Sequence, residues 1–278
     1  MFAQNAGITK KNNMEEVLPK VYFLGETRLR AGKKGLTDYL HDTDQLEFAK
    51  EIEQAYKDGL SDGEILASFY AKSCYAALTT KKNDNISRVR GITDNIKGTI
   101  KSGHGSVFEH SVLNFMITDC SRIFSHELIR HRAGTAFSQT SGRYVRTDVL
   151  RMVNDPILDP IKDLTVEAGL YLENWYKRAI DKIGINDEKK FDIKKKITSA
   201  LRRWLPNGQA NEIGFSCNFR ALRHIIQMRT SRHAEWEIRY VFNQLYEMVA
   251  EEYPAVFHDA MIEEVDDLGE ITFLHEKI

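Results

Sequence analysis

Arg130-His131-Arg132-Ala133-Gly134-Thr135-Ala136-Phe137-Ser138-Gln139-Thr140-Ser141-Gly142-Arg143-Tyr144 puts three arginines, a histidine and a run of small hydroxyl residues into fifteen positions. A packed core does not choose that composition. Arginine offers a planar fork of donors that grips phosphate bidentately, and Gly and Ser let backbone amides approach the same oxygens. The stretch therefore has the chemistry of an anion site, better matched to a nucleotide than to a metal or a membrane. A solvated arginine-rich loop is the plain alternative, since exposed charges of this kind usually contribute little.

Bulk properties narrow the setting. At 278 residues the chain can bury a sizeable core, and its length suits one domain over 1–278 with a loose, polar segment at 1–16. With 39 Lys+Arg against 40 Asp+Glu, there is no global basic field of the kind that binds nucleic acid polymers. Positive charge is local: Arg122, Arg130, Arg132, Arg143 and Arg146 crowd one segment, and Arg202, Arg203, Arg220, Arg223, Arg229 and Arg232 another. That distribution suits a small polyanion. Cys74, Cys120 and Cys217 are widely spaced and odd in number, which suggests neither a disulfide framework nor a zinc knuckle. Without an apolar leader or a run near the ~18 apolar residues of a membrane span, the expectation is a cytoplasmic protein with no membrane partner.

Along the chain, Val21-Tyr22-Phe23-Leu24 reads as a strand start. Residues 44–78 have a helical pattern, broken near Gly59 and restarted at Ser61-Asp62-Gly63-Glu64, where Ser and Glu stand at capping-box spacing. Val112–Thr118 alternates as a strand, and Ser121–Arg132 reads as a helix with Arg122, His126 and Arg130 on one face. Asp155-Pro156-Ile157-Leu158-Asp159-Pro160 breaks the chain before two amphipathic helices over 162–184 and 188–204. Ile238, Val241, Phe242, Leu245, Met248 and Val249 mark the buried stripe of a later long helix.

Two constellations bear on chemistry. His126 and His131 invite a zinc reading, but at five residues apart they diverge by roughly 140° on a helix, and no metal is expected. On the helix from Asn218 to Met228, Arg229 falls on the face of Leu222, Ile225 and Ile226. A cation there needs a partner, either an intramolecular carboxylate or a ligand. Arg220 and His224 stand four apart on another face.

Arg130-His131-Arg132 followed by Ser141-Gly142-Arg143-Tyr144 resembles the signature of the flavin-dependent thymidylate synthases, the ThyX family. Gly103-His104-Gly105-Ser106-Val107-Phe108-Glu109-His110 upstream, and Asn218-Phe219-Arg220 through Met228-Arg229 downstream, resemble further blocks of that family in the same order. Eight residues separate Arg132 from Ser141, one more than the usual pattern, and anchoring on Ser141 places the extra residue within Ala133–Ala136.

The resemblance implies an α+β ThyX-type fold, a small, mostly antiparallel sheet surrounded by helices. It implies a homotetramer with active sites shared between subunits, and an enzyme that reductively methylates dUMP to dTMP. FAD is the implied cofactor, with NADPH as reductant and 5,10-methylenetetrahydrofolate as carbon donor. FAD contacts carry over to His104, Arg130, His131, Arg132, Gln139, Asn218, Arg220 and His224. Substrate contacts carry over to Glu127, Leu128, Arg130, Gln139, Thr140, Ser141, Gly142, Arg143, Arg202 and Arg229. Arg229 is the implied catalytic group, stabilising a deprotonated or polarised uracil. Ser141, with no base evident beside it, reads as a hydrogen-bonding turn residue rather than a nucleophile. A methylase of UMP or another uridine nucleotide, or a flavin- or nucleotide-binding protein without catalysis, are the alternatives.

Overall fold

The computed structural model describes residues 14–30, 32–147 and 149–278. In chain order its strands and α-helices are β1 (Glu15–Glu16), β2 (Lys20–Glu26), α1 (Leu36–Asp42), α2 (Glu47–Lys57), α3 (Asp62–Ser73), α4 (Ile92–Lys101), β3 (Val112–Ser121), α5 (Arg122–Leu128), β4 (Thr135–Gln139), β5 (Arg151–Met152), α6 (Lys162–Ile183), α7 (Phe191–Leu201), β6 (Ala210–Asn218), α8 (Phe219–Arg229), α9 (Trp236–Glu252), β7 (Ala260–Val265) and β8 (Leu268–Phe273). Helices surround a four-stranded antiparallel sheet in the order β2-β3-β6-β4, and β7 and β8 form a separate antiparallel hairpin, so the architecture is the expected α+β one. Of the segment expected to be loose, residues 1–13 lie outside the described residues, and Glu15–Glu16 pair in parallel with Arg151–Met152. Among the described residues, no helix is long and apolar enough to cross a membrane.

Two compact units divide the chain. One comprises 21–116, 129–137 and 214–278. Phe23, Phe115, Phe215 and Phe137, one from each strand of the sheet, stack in sequence at centroid separations of 5.2, 6.2 and 5.6 Å. Such cross-strand aromatic pairs are what holds neighbouring strands in register. Phe242 of α9 meets Phe215 edge-on at 6.4 Å, which places the predicted stripe of that helix against the sheet. The capping box forms as read: Ser61 Oγ accepts from Glu64 N–H, and Ser61 N–H donates to the Glu64 carboxylate. The other oxygen of buried Glu64 accepts from Ala255 N–H at 3.0 Å, so one side chain both starts α3 and anchors the chain beyond α9.

The second unit comprises, of the described residues, 14–20, 117–128 and those within 138–213. Tyr176 and Ile180 of α6, with Ile185 and Leu201, form its apolar core. Gly184 closes α6 in the left-handed conformation at φ 70°, a position that favours glycine. Asp155 caps the expected chain break, which is a 3₁₀ turn over Pro156–Ile161.

The helix expected over Ser121–Arg132 ends at Leu128. Arg130-His131-Arg132 therefore lies in a loop rather than on a helical face. The His131 carbonyl accepts the Thr135 hydroxyl at 2.5 Å and the Gly134 carbonyl accepts Asn218 N–H, so the backbone groups of this loop lead into strand pairing instead of a further helical turn.

Candidate active site

In the second unit, a cavity of about 510 Å³ is lined by Arg122, His126, Thr140, Gly142, Arg202 and Asn211, among others. Ser121 Oγ accepts from Phe124 N–H at 3.0 Å, which starts α5 directly at Arg122. Arg202 follows α7, where a 3₁₀ turn over Arg202–Trp204 leads to Pro206. The two arginines converge on Gly142: a Cβ there would stand 3.3 Å from Arg122 Nη2 and 3.5 Å from Arg202 Cδ. Arg122 Nη2 also reaches the Thr140 carbonyl at 3.5 Å, while Thr140 N–H donates to Glu212 of β6. Elsewhere on the wall Arg151 is paired with Asp119 at 2.5 Å, and Arg146 donates to Asn186. Arg122 and Arg202 have no ion-pair partner among the described residues. Burial, and then the neighbouring Arg202 charge, pull the pKa of Arg122 down. Two like charges held together at a glycine form a site that an anion would relieve.

In the first unit, a cavity of about 560 Å³ gathers Arg130, His131, Arg132, Asn218, Arg220 and His224. Asn218 is the N-cap of α8, its side chain accepting from Ala221 N–H at 2.8 Å. Gly134 faces it at φ 68°, and a Cβ there would fall 2.5 Å from Asn218 Nδ2. Arg220 Nη1 meets Glu109 at 2.5 Å, and Arg229 Nε donates to His131 Nε2 at 2.7 Å. Burial, then Arg229, then His224, push the His131 pKa down to about 4.

Six of the eight residues expected at the flavin therefore share one cavity. Of the other two, His104 lines a different cavity of the same unit, and Gln139 belongs to the second unit, where its side chain donates to Asn211 at 2.6 Å. Among the residues expected at substrate, Thr140, Gly142 and Arg202 share the arginine-lined cavity. Arg143 is exposed and does not line it, Leu128 is 0 % exposed, and Glu127 is half-buried. Ser141 Oγ accepts from Arg143 N–H at 3.3 Å, a turn contact. Arg122 and His126 were not assigned from sequence, although their spacing of four on one helical face was the available signal. The second arginine cluster is not all free to hold a polyanion: Arg223 is buried against Asp259, and Arg232 is paired with Glu263 and Glu270.

The family model described as Thymidylate synthase complementing protein matches residues 57–255. A flavin-dependent thymidylate synthase of Mycobacterium avium (strain 104) is 34% identical over 215 residues, covering 75% of this chain and 84% of the relative. Its counterpart from Corynebacterium diphtheriae is 32% identical over 205 residues, covering 72% and 79%. The crystal structure of a UMP/dUMP methylase PolB from Streptomyces cacaoi, bound with 5-Br dUMP, superposes with a TM-score of 0.57 over 88% of this chain and 95% of that one, at 16% identity. That last likeness is one of fold.

Proposed function

The chain belongs to the flavin-dependent thymidylate synthase (ThyX) family, and we propose on that premise that it reductively methylates dUMP to dTMP. In balance, dUMP, 5,10-methylenetetrahydrofolate, NADPH and a proton become dTMP, tetrahydrofolate and NADP+. The observation that carries the reading is the convergence of Arg122 and Arg202 on Gly142. A phosphate monoester placed beside Gly142 lies between Arg122 and Arg202, and its negative charge offsets the repulsion between the two cations. Thr140, Ser141 and Arg143 belong to the turn beside it, and Gln139 donates to the lining residue Asn211; Glu127 is the further residue that the family resemblance assigns to the substrate. The buried side chain of Leu128 leaves any substrate contact at that position to its backbone.

The cavity of Arg130, His131, Arg132, Asn218, Arg220 and His224 fits FAD by its donor set, cations for a diphosphate and imidazoles for the edge of a ring system; His104 and Gln139 are the further residues that the family resemblance assigns to the flavin. FAD bound there supplies the hydride that NADPH provides. Arg229 holds negative charge on the uracil ring and so raises the nucleophilicity of C5. Above about pH 4 His131 is neutral, accepts Arg229 Nε–H and keeps its own proton on Nδ1. In this reading the active enzyme is a homotetramer whose sites draw residues from more than one subunit.

The test is dTMP formation from dUMP with FAD, NADPH and methylenetetrahydrofolate, with UMP run in parallel. dTMP is the expected product. Methylation of UMP alone would assign a uridine-nucleotide methylase, and saturable FAD binding with neither product would assign a binding protein.

A further inference from the structure

A third cavity, of about 550 Å³, lies in the first unit between α3, α4 and the loop joining them. Its wall carries Lys72, Arg88, Arg90 and Lys101 and no carboxylate. Arg88, Arg90 and Lys101 have no ion-pair partner among the described residues; Glu51, outside the lining, offsets part of the Lys72 charge, and the wall itself is cationic. Lys72 plays another part: its buried ammonium donates to the Arg90 carbonyl, which fixes the loop that presents the two arginines. At the other side of the wall Tyr75, 57 % exposed, stands with its hydroxyl 3.5 Å from His104 Nδ1, offering an aromatic face.

This cavity and the proposed flavin cavity meet at one turn. His104 and Ser106 line the first, while a Cβ on Gly105 between them would strike Arg220 Nε of the second at 2.8 Å. A ligand here would lie against the flavin cavity and present an anionic end to the two arginines. Ring stacking, several phosphates and contact with the flavin cavity are together the properties of a dinucleotide reductant. A pterin carrying a single glutamate would leave more of these cations unmatched.

We infer that this cavity binds the nicotinamide dinucleotide phosphate, with Arg88 and Arg90 reading the phosphomonoester on its adenosine ribose and Tyr75 stacking on a base. The inference rests on the thymidylate synthase reading for the identity of the reductant, but its test does not require turnover. Adenosine 2′,5′-bisphosphate and 5′-AMP are titrated calorimetrically into the FAD-loaded protein and into the double variant Arg88→Ser, Arg90→Ser. Both arginines are exposed, and Lys72 bonds only the backbone of Arg90, so the fold should tolerate the change. The bisphosphate should bind the parent and lose affinity by about tenfold or more in the variant, the effect of one lost charge-assisted contact, while 5′-AMP changes much less. Anaerobic flavin reduction should show the same loss of preference for NADPH over NADH.

Equal losses for bisphosphate and AMP, or an unchanged bisphosphate affinity, overturn the inference. So does a variant whose affinity falls for tetrahydrofolate instead. A protein that forms dTMP yet ignores the bisphosphate refutes this inference alone. One that binds the bisphosphate through Arg88 and Arg90 yet forms no dTMP refutes the proposed function and leaves the cavity assigned.

Discussion

Arg229 Nε donates to His131 Nε2 across 2.7 Å, joining the last residue of α8 to the middle of the Arg130–Arg132 loop. A guanidinium only donates, so this contact requires an imidazole that is neutral at Nε2. The sequence had assigned the two residues to different ligands, and the structure makes them one bonded pair. Arg229 is half-buried at the end of the face that carries buried Leu222, Ile225 and Ile226, beside that acceptor. The orientation of the cation proposed for the pyrimidine is thereby tied to the loop proposed for the flavin.

Arg229→Ala should keep FAD and flavin reduction by NADPH, while dTMP formation falls by roughly two or more orders of magnitude, the effect of losing one preorganised electrostatic group. Removal of the neighbouring cation should also let the His131 pKa rise from about 4, though burial still holds it down. Single-turnover assays and an NMR titration of the imidazole read the two effects. Near-normal dTMP synthesis in a folded variant would remove Arg229 from catalysis.

His131 also sets a pH window for stability. Its folded pKa, about 4, lies below the ordinary histidine value near 6.5. Between those values the unfolded chain binds the extra proton, so this contribution is complete above about pH 6.5 and is lost as pH falls toward 4. His131→Gln keeps an acceptor for Arg229 but cannot titrate. Urea melts at about pH 7 and pH 5 should show a smaller drop for the variant than for the parent; equal drops would place the proton elsewhere.

The parts legible in sequence were those whose signal is local. Ser61 and Glu64 announced the start of α3, and the apolar stripe of α9 announced its buried face, because capping and helical periodicity are short-range properties. The end of α5 was not legible: Arg130 keeps helical spacing from Arg122 and His126, yet the loop is held by the Thr135 hydroxyl donating to the His131 carbonyl and by the Gly134 carbonyl accepting from distant Asn218 N–H. Strand β6 went unread although Ile213, Phe215 and Cys217 alternate as buried residues, since Gly214 and Ser216 between them weaken the strand pattern. The β7–β8 hairpin turns through Asp266 and Asp267, both at positive φ, without the glycine that usually marks such a turn. In the site, motif spacing named the residues, but the pairing of Arg122 with Arg202 depends on elements 80 positions apart in sequence.

Arg223 and Asp259 test the division between structural and ligand-facing arginines. Their side chains are 2% and 3% exposed, joined at 2.8 Å, and Arg223 also lies over the Phe273 ring at 4.0 Å. Asp259→Ala should leave a buried cation unpaired and cost ~3–5 kcal/mol of stability. Denaturant unfolding measures it. A loss under ~1 kcal/mol would mean the pair behaves as an exposed one.

Arg202→Ala and Arg122→Ala test the phosphate reading most directly. A charge-assisted contact is worth ~1.5–3 kcal/mol, so each substitution should weaken dUMP binding by roughly ten- to a hundredfold. Deoxyuridine, which lacks the phosphate, should be nearly indifferent to both changes, and FAD affinity should hold because the flavin cavity contains neither residue. The two losses should be less than additive, since each arginine in isolation is freed from the repulsion of the other when no ligand is present. Calorimetric titration of dUMP and deoxyuridine into the two single variants and the double variant supplies the whole cycle. If deoxyuridine loses as much affinity as dUMP, these arginines do not read the phosphate, and their convergence on Gly142 serves the fold of the turn instead.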